Sequence, residues 1–123
     1  MIQPRSIVNI ADNSGAKIGR IFKVLGSSKK RYAQLGELVV LSVQKAEPRK
    51  AVKKKDVLTA VVVRQRKQFR RKDGSYISFD DNAVVIIEKG KMDPIAGRVF
   101  GPIPREIGEA GFQKIVSLAQ EIV

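Results

Sequence analysis

The sequence predicts a mainly β fold: a small five-stranded β-barrel with a protruding β-hairpin and a short C-terminal α-helical portion. Three observations predict it. Short runs rich in β-branched residues recur between turn signals along most of the chain. Two of them, Val61-Val62-Val63 and Val84-Val85-Ile86-Ile87, lack apolar–polar alternation, so both faces of those strands need cover, one from a barrel interior and one from something packed outside. Near the C-terminus the pattern changes to a helical period, with Phe112, Ile115, Val116 and Ala119 at i, i+3, i+4 and i+7.

The elements follow in order. Ile7 to Ile10 is a first strand, ended by the turn cluster Asp12-Asn13-Ser14-Gly15. Ile18 to Leu25 is the second, and Gly26-Ser27-Ser28 opens a basic loop that runs to Gly36. Glu37 to Val43 follows, then a basic loop over 48–55 that begins at Pro48. Val57 to Val63 continues into a charged stretch. Asp73-Gly74 turns the chain, because Gly accepts the positive φ of a tight hairpin turn, and Tyr76 to Phe79 leads on to the fifth strand, Ala83 to Ile87. Residues 93–104, with two Gly and three Pro, read as an irregular connector. A short helical turn is expected after Pro104, and a helix after Gly111 that covers the barrel. On that helix Lys114, Ser117 and Glu121 lie opposite the apolar stripe. The whole, residues 1–123, is expected to form one domain: barrel, loops and hairpin over 1–90, connector and helices over 91–123.

Charge narrows the function. The 123 residues carry 24 Lys and Arg against 12 Asp and Glu. Residues 29–72 hold 15 of the basic residues and only Glu37, Glu47 and Asp56, while the remaining 79 residues hold nine of each sign. The excess falls in three clusters: Lys29, Lys30 and Arg31; Arg49, Lys50, Lys53, Lys54 and Lys55; and Arg64, Arg66, Lys67, Arg70, Arg71 and Lys72. Self-repulsion on this scale costs stability unless a polyanion relieves it, which points to RNA phosphates. In the third cluster Phe69, Tyr76 and Phe79 add flat apolar faces that can stack on bases or pack on the barrel.

Catalytic patterns are missing. With no Cys and no His, the chain has no zinc finger, no His-ligated metal and no Cys- or His-dependent nucleophile. Asp80-Asp81 is the one adjacent acidic pair, and in an extended segment its carboxylates point to opposite faces, which suits a structural role better than a shared metal. No enzyme, cofactor or metal is expected. The longest apolar run is Ala83 to Ile87, too short for a membrane span, and the N-terminus has no signal-peptide pattern, so a cytoplasmic protein without a membrane partner is expected. A stand-alone basic barrel acting as an RNA chaperone is the alternative, and a nuclease using Asp73, Asp80 and Asp81 is a remoter one.

The stretch AVVVRQRKQFRRKDGSYISFDDNAVVI, Ala60 to Ile86, resembles the signature of the fourteenth protein of the large ribosomal subunit. A small residue precedes three aliphatics, a basic spacer of nine leads to Asp-Gly, and an aromatic, an Asn and a paired aliphatic ending follow at fixed gaps. The matching positions are Ala60, Val61 to Val63, Asp73, Gly74, Phe79, Asn82, Val85 and Ile86. Similar segments extend over the chain: ADNSGA (Ala11 to Ala16), KVLG (Lys23 to Gly26), KRYA (Lys30 to Ala33), RVFGP (Arg98 to Pro102) and KIVSLA (Lys114 to Ala119), and the length suits the bacterial type. The resemblance implies a ribosomal, rRNA-binding structural protein with a five-stranded barrel. It implies contact with large-subunit rRNA, with small-subunit rRNA through intersubunit bridges, and with large-subunit proteins three and nineteen. It also implies a ribosome-silencing factor docking on Arg98, Lys114 and Ser117. The chain departs from the family pattern at Gly97, where Thr is usual, at Gly108 and Gly111, in a helical region more often charged, and at Gln120, where Pro is usual.

Overall fold

The computed structural model describes residues 2–26, 31–48, 53–88 and 92–123. Five strands close a barrel: β1 (Ile7–Ile10), β2 (Ala16–Val24), β3 (Leu38–Ala46), β4 (Val57–Arg64) and, after a hairpin, β7 (Ala83–Ile86). Neighbours pair antiparallel, and β1 closes the ring by pairing parallel with β7 through Asn9↔Ala83 and Ile10↔Val84. The register fixes which face each residue takes. Val39↔Ala60 and Val62↔Val84 point inward, where they meet Val8, Ile10, Ile21, Leu41 and Ile86, all buried. Gly19 also faces in, opposite Val8, and a Cβ there would come within 2.9 Å of Leu41 Cδ1, so a side chain at that position would require Leu41 to move.

Val61 and Val85 take the outer face and are nevertheless 0% exposed. Both runs without alternation are therefore covered on two sides, as their composition demands. The same core cluster takes in Ile103, Ile107, Phe112 and Ile115 from the C-terminal segment.

That segment differs from its sequence reading in two ways. The connector contains a strand, β8 (Val99–Ile103), attached to the β1–β2 turn by the Asp12↔Val99 bridge and by Phe100 N–H donating to Ala11 O. Gly101 and Pro102 fit within it because the pairing slips between Val99 and Pro102 and Gly101 has φ +79°. The expected turn after Pro104 is α1 (Glu106–Glu109). The expected helix after Gly111, α2 (Gln113–Leu118), is shorter than the periodicity implies, because Ala119 becomes extended and β9 (Ala119–Ile122) pairs parallel with β8. A six-residue helix has little stability of its own, and the open edge of β8 offers backbone partners that a longer helix would forgo. Glu121 consequently lies on a strand and not on the helix face with Lys114 and Ser117.

The hairpin does not protrude freely. Its strands β5 (Phe69–Arg70) and β6 (Tyr76–Ile77) pair over two residues each around the Asp73-Gly74 turn, and the hairpin leans on the C-terminal segment. Phe69, Ile77 and Phe79 pack against the core, and Tyr76 remains 61% exposed. Packing, not solvent, supplies the stability a short ribbon lacks alone.

Candidate nucleic-acid interface

The barrel topology sorts the basic residues into two groups. The β2–β3 loop, with Arg31, and the β4–β7 hairpin, with Arg66, Lys67, Arg70 and Lys72, leave the same end of the barrel. The β3–β4 loop, with Lys53, Lys54 and Lys55, leaves the opposite end, beside the β1–β2 turn. The nine residues of β3 cover about 30 Å of extended chain at roughly 3.3 Å per residue, and because barrel strands tilt by about 35–45° the ends lie on the order of 20 Å apart along the axis. All eight of these residues are exposed, while Lys29, Lys30, Arg49 and Lys50 lie outside the described residues.

Two members of the third cluster are largely buried and already engaged within the chain. Arg64 is 9% exposed; its Nε lies 3.0 Å from Asp81 Oδ1, and its Nη1 donates to Phe100 O at 2.8 Å. It locks β4 to the end of the hairpin and to β8, and Gly101 leaves the space its guanidinium occupies. Arg71 forms an ion pair with Glu106 of α1 at 2.6 Å and donates from Nη2 to Val123 O, also at 2.6 Å. The sequence places both in the RNA-binding set; in the fold both join the barrel and hairpin to the C-terminal segment through charge-assisted hydrogen bonds and ion pairs to carboxylates and carbonyls. Arg66 keeps an exposed side chain, although its Nε donates to Asp80 O.

The acidic residues have structural partners. Asp81 takes Arg64 and the Asn9 amide. Asp73 accepts both the hydroxyl and the N–H of Ser75, which hold its carboxyl below its ordinary range, with Arg105 and Arg71 adding smaller attractions. Asp12 is 4% exposed and accepts from Ser14 and from the Ile86 N–H, fastening the β1–β2 turn onto β7. Burial raises its pKa and outweighs those hydrogen bonds. Among the described residues no three acidic side chains are grouped to hold a metal ion.

The β3–β4 turn carries a further mark. Asp56 Oδ2 accepts from Lys53 N–H and Lys55 N–H donates to Val43 O, which fixes the turn with Lys55 at φ +72°. A side chain in this left-handed region costs about 1 kcal/mol relative to Gly. Lys55→Gly should therefore hold or slightly raise thermal stability while weakening RNA binding and lowering its salt slope by about one. Thermal unfolding and a salt titration of RNA affinity check the pair; a clear loss of stability would assign Lys55 to the fold.

At the C-terminal segment Arg98, Lys114 and Ser117 are all exposed. Lys114 and Ser117 lie one turn apart on α2, with Lys114 3.5 Å from Asp93 and the Ser117 hydroxyl donating to Lys114 O. Arg98 precedes Val99, which registers with Ala119 at the end of α2, so the fold draws the three toward one side. Gln120 accepts from Gly101 N–H through its side chain, a contact that the usual Pro could not make.

The family model for ribosomal protein L14p/L23e matches residues 1–123. The chain belongs to that family. Membership of the L14p/L23e family makes the chain a structural constituent of the large ribosomal subunit. Among the described residues no helix is long and apolar enough to cross a membrane.

Proposed function

We propose that this L14p/L23e chain, of the bacterial type, is a non-catalytic structural protein of the large subunit of cytoplasmic ribosomes that binds large-subunit rRNA directly. The observation that carries this reading is the display of exposed cations at both barrel ends by a member of a ribosomal family. Arg31, Arg66, Lys67, Arg70 and Lys72 would hold phosphates at one end and Lys53, Lys54 and Lys55 at the other, and Lys29, Lys30, Arg49 and Lys50, outside the described residues, continue the same basic runs in the sequence. The spacing suits two RNA segments held by a rigid mount. The C-terminal face, with Arg98, Lys114 and Ser117, is the side for protein partners (large-subunit proteins three and nineteen and a silencing factor) and for the bridge to small-subunit rRNA.

Sedimentation of a tagged copy through gradients at moderate and high salt tests the reading. Co-migration with the large subunit that survives the salt wash is expected; a copy that stays at the top, or leaves as salt rises, would make it a transient RNA binder. In the same assay Lys114→Glu should leave incorporation intact and impair silencing-factor binding, and equal loss of both would refute that division of surfaces.

A further inference from the structure

Strand β2 carries exposed cations that the count over residues 29–72 leaves out. Arg20 pairs with Ser42 and Lys23 with Val40, so both side chains share the outer face of the barrel. Three residues apart, they would point to opposite faces of an unbroken strand. A register irregularity between Ile21 and Lys23 corrects this by turning Lys23 outward next to Phe22, which already shares Arg20's face at i+2 and is 50% exposed between the two cations. Bulges commonly re-aim side chains in this way at functional positions. Arg5 lies alongside: its N–H donates to Ile21 O at 2.6 Å, and it holds φ +75°, a strained conformation for a residue with a side chain.

We infer that the outer face of β2 is a binding platform for an unpaired RNA segment, with a base stacked on Phe22 and the flanking phosphates held by Arg20, Lys23 and Arg5. The inference rests on the rRNA-binding reading and gives it a residue-level site. Charge selects the occupant, since the residues in register here (Ile7, Arg20, Ser42 and Val57 in one row, Lys23, Val40 and Thr59 in the next) include no carboxylate. The exposed apolar side chains Ile7 and Val57 stand at opposite ends of their row, separated by Arg20 and Ser42, so the face lacks the continuous apolar patch of a protein-docking surface. Strand β2 also runs between the two cation-bearing ends, so RNA on this face would link them.

The test is a binding titration of the full chain against a large-subunit rRNA transcript at several salt concentrations. Phe22→Ala should weaken binding by about 5- to 100-fold, the range of one aromatic–base stack, with the salt slope unchanged. Phe22→Trp should bind as the parent does. Arg20→Gln and Lys23→Gln should each lower the slope by about one. Phe22 is half exposed, so its variants should unfold at the parent's temperature, and circular dichroism checks this. Parent affinity in Phe22→Ala, or equal weakening in Phe22→Ala and Phe22→Trp, would overturn the platform and leave rRNA binding standing. Loss of a protein neighbour from the assembled particle with RNA affinity intact would overturn it in favour of protein docking. A parent chain that binds the transcript weakly and without salt dependence would instead overturn the rRNA-binding reading itself.

Discussion

Arg64→Met should lower stability by about 2–4 kcal/mol while leaving the salt dependence of RNA binding untouched. The substitution keeps most of the apolar stem but removes the guanidinium that serves Asp81, Phe100 O and Pro102 O together. Breaking a buried pair by deleting one partner costs about 3–5 kcal/mol, because the other charge stays desolvated. The expected loss is smaller here because the Asp81 side chain is 34% exposed and retains the Asn9 amide. For a chain of this length that lowers the unfolding temperature by on the order of 10 °C. Asp81→Asn combined with Arg64→Met should cost less than the sum of the single changes, since the two groups meet directly. The opposite pattern, unchanged unfolding and a salt slope lower by one, would return Arg64 to the RNA-binding set.

Arg64 also shows what the sequence could and could not say. Its place in the run from Arg64 to Lys72 identifies a basic cluster, but linear charge density does not show which members a fold will consume. Arg64 and Arg71 are engaged by Asp81 and Glu106, which lie 17 and 35 positions away in the chain; the pairing of β4 with β7 brings the first pair together, and the packing of the hairpin against the C-terminal segment the second. The barrel was legible because its signal is local: the unalternating valine runs need cover on both faces, and the turn clusters set the strand lengths. The β8–β9 pair was not, since Gly101 and Pro102 disfavour a strand locally and a backbone partner from Ala119–Ile122 decides the outcome. The grouping of Lys23 with Arg20 and Phe22 was not legible for a third reason: a bulge between Ile21 and Lys23 shifts the two-residue period and brings Lys23 onto the face that Arg20 and Phe22 already share.

The largest effect on RNA binding is expected from reversing Lys53, Lys54 and Lys55 to Glu together. All three are exposed, and the turn that carries them is set by Asp56 and by backbone bonds, so the fold should survive. Each lost phosphate contact lowers the log–log salt slope by about 0.7 to 0.9, so the triple variant should lower it by roughly 2 to 3. Six or more contacts give the parent a slope of roughly −4 or steeper. Affinity should fall by at least on the order of 100-fold at moderate salt, because each reversal also adds repulsion. Reversing Arg66, Lys67, Arg70 and Lys72 at the other end should produce a similar loss. The two sets sit at opposite ends of the barrel, on the order of 20 Å apart along its axis, so their free-energy costs should add if each end grips its own RNA segment. Combined losses no larger than one set alone would mean that a single end carries the binding and that the opposite cations serve another surface. A triple variant that binds like the parent would remove the β3–β4 loop from the interface, whatever the rest of the barrel does.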